Sequence, residues 1–181
     1  MSTKGFLAGA KAWLYQQPDP DRCPACDFDW SITPGDALAQ IETAPRRYEA
    51  LLDGRDGMVP ATQGWNATSY VWHLADLSRS WSERWVLLAA NPGAELAGWD
   101  PDDLAAARNY VAMPKVSALW ALSTSVQLLV DLSAHLDAST PFQHGEWGEG
   151  TIGEALVWLA HEFVHHEVDV SERAVPKVER L

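Results

Sequence analysis

Apolar positions along this chain recur at three- and four-residue steps, the spacing that lines up one face of an α-helix. The first such stretch, about Pro34 to Leu52, carries Leu38, Ile41, Ala44, Tyr48, Leu51 and Leu52. It opens on Thr33-Pro34-Gly35-Asp36, where Thr33 can cap, Pro34 suits the first helical position and Asp36 falls in the first turn. Pro45 predicts a kink, and Gly54 and Gly57 mark the end. Asn66 is the expected cap of a long helix reaching about Ala90, with Val71, Leu74, Trp81, Trp85 and Leu88 as its stripe and Asn91-Pro92-Gly93 as its stop. Asp100-Pro101-Asp102-Asp103 starts a short helix that ends before Pro114, and Val116 to Leu136 reads as a third long helix. The fourth begins at Thr151-Ile152-Gly153-Glu154, a capping box, and runs to about Arg173. Strand-like alternation is confined to the short stretch from Thr140 to Trp147. Four long amphipathic helices, one short extra helix and a longer crossover region predict an all-α four-helix bundle.

Composition narrows the partners. The 181 residues suit one domain, and 47% hydrophobic against 21% charged residues is an ordinary globular balance. Thirteen Lys and Arg against twenty-five Asp and Glu leave a net charge of -12, which repels phosphate backbones and anionic membranes, so neither nucleic acid nor membrane is expected as a partner. The apolar stretch near the N-terminus is interrupted by Lys11 and too short for a signal segment, and a cytoplasmic protein is expected. Ten Trp stand beside four Tyr and four Phe, an excess suited to a core, a pocket wall or a contact surface such as that of a homodimer.

Three of the six histidines crowd into His161-Glu162-Phe163-Val164-His165-His166-Glu167-Val168-Asp169 on the last helix. Side chains four apart share a helix face, so the run offers two pairs able to grip one metal ion: His161 with His165, or Glu162 with His166. A third donor must come from a facing helix, and His73 is the one histidine on the second long helix. At about 100° per residue, Ile152, Leu156, Leu159, Phe163 and Val170 form a stripe, with His166 about 40° from its centre and Glu162 about 80°. His161 and His165 fall near the opposite side, so the wheel favours Glu162 and His166, although Val157, Val164 and Val168 make a weaker stripe nearer His161. His135 and His144 read as solvated. His161-Glu162-Phe163-Val164-His165 also fits a zinc-protease pattern, but Val168 and Ser171 stand where its extended form needs Gly and His, which argues against a protease.

The stretches Gly64-Trp65-Asn66-Ala67-Thr68-Ser69-Tyr70-Val71-Trp72-His73-Leu74-Ala75-Asp76 and His161 to Asp169, with Cys23-Pro24-Ala25-Cys26-Asp27-Phe28 more weakly, resemble the DinB-like superfamily. That superfamily includes the YfiT-like proteins and the N-terminal domain of mycothiol-dependent maleylpyruvate isomerase. The resemblance implies a four-helix bundle holding a divalent metal: zinc first, with nickel, manganese and iron as alternatives. It implies His73, Glu162 and His166 as ligands, with His161 and His165 as the alternative register. It further implies a thiol-dependent S-transferase or isomerase in which a low-molecular-weight thiol, mycothiol or bacillithiol, attacks a small electrophilic substrate. His165 and Asp169 are then candidate catalytic residues that orient groups or carry protons. A non-catalytic metal-binding or interaction bundle is the alternative, and a metal-dependent hydrolase a further one.

The expected organisation is an N-terminal extension over 1–30 with the Cys pair, the bundle over 31–176 and a tail over 177–181. Cys23 and Cys26 read as inert thiols, a redox pair or half of an intermolecular zinc site, and nothing in their spacing brings them to the histidines. Trp72, Trp81 and Trp85 on the helix of His73, with Trp158 one turn before Glu162, are candidates for an apolar wall beside the metal.

Overall fold

Helix starts fall where local capping chemistry puts them. In the computed structural model, which describes residues 5–15, 21–56, 64–173 and 175–176, six α-helices are present: α1 (Phe6–Tyr15), α2 (Pro34–Leu52), α3 (Ala67–Ala90), α4 (Pro101–Arg108), α5 (Lys115–Ser133) and α6 (Ile152–Arg173). The Asp36 amide donates to the Thr33 hydroxyl while the Asp36 carboxylate reaches back to the Thr33 backbone, closing a capping box. The Ser69 amide donates to Asn66 Oδ1 at 2.8 Å, and the Thr151 amide donates to Glu154 Oε2 at 2.9 Å. Pro45 lies inside a continuous α2, which ends at Leu52 before Gly54 with φ at 63°. Gly57 and the 177–181 tail lie outside the described residues.

Short strands complete the chain: β1 (Arg55–Asp56), β2 (Glu95–Leu96), β3 (Pro141–His144), β4 (Gly148–Thr151) and β5 (Val175–Pro176). β1 pairs antiparallel with β5. The stretch expected to alternate forms the β3–β4 hairpin, in which Phe142 faces Gly150 and Gln143 faces Glu149, and β2 adds to it in parallel.

The four long helices form the bundle, with α3 packed most extensively on α5, α2 on α6, and further contacts between α2 and α5 and between α3 and α6. Around the bundle the order is therefore α2, α6, α3, α5. Consecutive α2 and α3 lie diagonally opposite, and α6 sits between them. Tyr48 on α2 donates to the Phe163 carbonyl on α6 at 2.6 Å, and Arg47 pairs with Glu167 at 2.6 Å, which sets the rotation of α6.

The N-terminal part is built into the core. Phe6, Ala10, Cys23, Phe28 and Trp30 are buried in the same apolar cluster as the bundle helices. Phe6 packs edge-on against Phe142 at 5.0 Å and Trp81 at 6.1 Å and tilts against Trp147 at 5.3 Å. α1 is ten residues long with an interior Gly9, which reads against a helix in isolation. A Cβ at Gly9 would lie 2.5 Å from the Trp147 carbonyl oxygen, so glycine is what lets the helix lie on that loop.

α5 is long and apolar enough to cross a membrane by length and composition, with a mean hydropathy of 1.3, a feature missed by the sequence reading. One side of it buries Ala118, Leu122, Val126 and Leu129, while Val116, Trp120 and Leu128 are exposed.

Candidate metal centre

Because α3 and α6 are neighbours in the bundle although far apart in sequence, His73 meets the histidine run of the last helix. One donor atom each from His73, Glu162 and His166 lie within 4.8 Å of one another. Glu162 Oε2 is 3.9 Å from His73 Nε2 and 3.5 Å from His166 Nε2. These separations are long for hydrogen bonds but near the edges of a coordination polyhedron with bonds of about 2.0–2.2 Å. His73 and Glu162 are 5% and 8% exposed, so the group is desolvated. His73 Nδ1 is buried with no hydrogen-bond partner among the described residues. Two imidazoles and a carboxylate from facing helices fit a divalent ion and supply only three of its ligands.

His166 has the support that metal-binding imidazoles require: its Nδ1 is 2.8 Å from Asp169 Oδ2, so Nδ1–H donates to the carboxylate and Nε2 is turned toward Glu162. Burial pulls the His166 pKa down, but Asp169 and Glu162 outweigh it and leave the group pushed up to about 9. Burial lowers that of His73. Burial alone would raise the Glu162 carboxyl, yet His161, His166 and His73 around it hold it well below the usual carboxylate range. Glu162 is thus a buried anion kept charged by its neighbours.

The other pair, four apart on α6, also meets potential donors, on the other side of the helix. His161 and His165 face the N-terminal loop, where one donor atom each from Cys23, Cys26, His161 and His165 lie within 4.8 Å of one another. Cys23 Sγ is 3.6 Å from His165 Nδ1. The sequence reading left the cysteines unconnected to the histidines, and the structure corrects this. The face of α6 opposite the apolar stripe is covered by residues 21–31, which leaves His161 1% exposed. Neither cysteine is in a disulfide. Burial pushes the Cys26 thiol up to about 12 despite a hydrogen bond from the Phe28 amide. His165, a candidate proton carrier for the His73 group, points to Cys23 instead, although its ring still lies 5.5 Å from that of His166.

The aromatic wall is also different from the one expected. Trp81 and Trp85 lie more than two turns beyond His73 on α3, fully buried against each other at 5.1 Å, and Trp158 packs on Trp81 and Trp147. They are core. The rings beside His73 are Trp65 at 5.0 Å and Trp99 at 6.2 Å, both from segments flanking helices, where no helical periodicity marks them. Trp72 stacks toward Tyr110 at 6.4 Å. Trp99 also lines a cavity of about 400 Å³ with Asp76, Arg79, Glu83, Arg84 and Leu104. His144, expected in solvent, is 2% exposed: the hairpin folds it onto Trp147 at 4.5 Å, and its Nδ1 accepts from the Glu146 amide at 3.3 Å. His135 is exposed.

No protein-family model and no curated protein sequence matches this chain. Among solved structures it superimposes on YfiT from Bacillus subtilis with a TM-score of 0.66, covering 77% of this chain and 86% of that one at 18% sequence identity. The fold is that of YfiT. YfiT is described as a probable metal-dependent hydrolase with an unusual four-helix bundle topology. At this identity the likeness establishes the YfiT-like bundle fold, the fold that the motifs around His73 and His166 implied.

Proposed function

We propose that the protein is a metal-dependent hydrolase acting on a small electrophile, with one divalent ion held by His73, Glu162 and His166. The observation that carries this reading is the convergence of these three donors from facing helices, with Asp169 bonded behind His166 at 2.8 Å. The His2Glu donor set is the one found in zinc hydrolases, and the likeness to YfiT, itself described as a probable metal-dependent hydrolase, supports the same class. When bound, the ion supplies Lewis acidity at its open positions, lowering the pKa of a nucleophile and polarising a carbonyl. Glu162 would be the one anionic ligand among the three, so part of the ion's charge would remain to polarise a substrate carbonyl. Asp169 holds the His166 ring in one tautomer and orientation. Trp65 and Trp99 pack beside His73 and restrict water around it.

A thiol-dependent transfer at the same centre is the second reading, because three protein ligands would leave a position at which a thiolate could bind the ion. The metal content of untagged protein, compared with that of His73→Ala, tests both. The expected result is loss of one metal equivalent and of metal-dependent ester hydrolysis, with helical content and melting retained. Unchanged metal content and turnover in His73→Ala would overturn the centre. Turnover that requires added thiol would select transfer over hydrolysis.

A further inference from the structure

The donors on the far side of α6 go beyond the hydrolytic reading and do not depend on it. We propose that Cys23, Cys26, His161 and His165 bind a zinc ion in a closed, four-coordinate structural site that fastens the N-terminal loop to α6. The donor set and its spacing, Cys-x2-Cys and His-x3-His, are those of structural zinc sites. The halves were unrecognisable as one motif in the sequence because 142 positions separate Cys23 from His165. A tetrahedral site with Zn–S of about 2.3 Å and Zn–N of about 2.0–2.1 Å has an S···N edge of about 3.6 Å, which is the Cys23 Sγ to His165 Nδ1 distance of 3.6 Å. The remaining donor atoms, all within 4.8 Å of one another, need to close by at most about 1.5 Å.

The loop is shaped to present both sulfurs. Asp27 N–H donates to the Cys23 carbonyl at 2.8 Å and Cys23 N–H to the Phe28 carbonyl at 2.9 Å, and Asp27 sits at φ 58°, a left-handed conformation uncommon for a residue with a side chain. Arg22 holds it there through both Asp27 carboxylate oxygens, at 2.7 and 3.0 Å, and through the Asp27 carbonyl at 2.8 Å. The Phe28 amide donates to the Cys26 sulfur. Trp30 stacks on the His161 ring at 4.4 Å and Phe28 meets it edge-on at 5.5 Å, walling the group from water. Behind the ligand, the Glu162 carboxylate places Oε1 3.4 Å from His161 Nδ1, an anion beside the imidazole. Two thiolates cancel the charge of a dication, so the buried group is neutral when filled, as burial requires. With four protein ligands no position is left for substrate, which separates this site from the three-ligand centre.

The test uses the full-length untagged protein, reduced and stripped of metal, titrated with cobalt(II). The expected spectrum shows thiolate-to-cobalt charge transfer and intense tetrahedral visible bands, bleached by zinc and, in His73→Ala, saturating at one equivalent. These bands persist in His73→Ala, which disables only the other centre, and vanish in Cys26→Ser. In wild-type protein loaded with zinc, Cys23 and Cys26 react slowly with a thiol reagent until a chelator is added. That measurement and the wild-type cobalt spectrum decide the matter even if Cys26→Ser does not fold. Absence of the thiolate–cobalt bands in the wild type, with thiols equally reactive with and without chelator, would overturn the site. So would a Cys23–Cys26 disulfide that re-forms in preference to metal binding.

Discussion

Tyr110→Phe isolates one buried hydrogen bond that clasps α3 to the segment after α4. Asp76 is 3% exposed and accepts from the Tyr110 hydroxyl in a short bond, from Arg108 at 2.9 Å and from Arg79 at 3.3 Å. The three donors are not equivalent. The side chains of Arg108 and Arg79 are 39% and 47% exposed, so water takes over whatever they lose, and each pair is worth at most about 1 kcal/mol. Tyr110 is 1% exposed, and burial together with Asp76 pushes its pKa up, the sign of a phenol held as a donor to a carboxylate. A hydrogen bond to a buried charged group contributes about 1.5–3 kcal/mol. The phenyl ring of the variant keeps its packing against Trp65 and Trp72. Tyr110→Phe therefore costs about 1.5–3 kcal/mol, a melting shift of about 3–12 °C for a chain of this size. Urea denaturation at low and high salt checks it: the loss in Tyr110→Phe persists at high salt, while those of Arg108→Ala and Arg79→Ala are small and screened. A Tyr110→Phe variant within about 0.5 kcal/mol of wild type, or a cost that salt removes, would show that the surface arginines alone satisfy Asp76 and refute the ranking.

Two further outcomes follow from the packing of the hairpin. His144 is depressed from 6.5 to about 4, chiefly by burial, so the fold favours its neutral form. Protons then bind the unfolded chain more readily, and stability is lost as pH falls from about 6.5 toward 4, by roughly 1–2 kcal/mol at pH 5 after solvent screening. His144→Gln removes this slope, which urea midpoints at pH 7 and pH 5 would detect; equal slopes in both proteins would count against it. Gly9→Ala sets a methyl against the Trp147 backbone, which cannot swing away as a side chain tip can, and costs about 1–3 kcal/mol. A Gly9→Ala midpoint equal to wild type would mean that α1 does not rest on that loop.

Much of the candidate site was legible because its signals are local. Glu162 and His166 share a face by helical spacing, and His73 stands out as the one histidine of its helix. The second donor group was only half legible, since Cys-x2-Cys and His-x3-His each carry a spacing signal but nothing local joins them. The Trp65 and Trp99 rings beside His73 were passed over for Trp81 and Trp85, because helical periodicity marks a buried face without saying whether core or site lies against it.

By itself the sequence determined the four long helices, and the starts of α2, α3 and α6, because a capping side chain and a three- to four-residue apolar repeat act within one or two turns. Tertiary structure alone decided what those helices meet. The ring order that seats α6 between α2 and α3 brings His73 to Glu162 and His166. The same seating leaves the opposite face of α6 to the N-terminal loop, so that both histidine registers find partners at once. α1 belongs to that second class: at ten residues it is too short to hold a helix alone, and it is held by the aromatic cluster around Phe6. Contacts between distant segments depend on which faces are left to bury once the bundle has closed, and no local pattern encodes that.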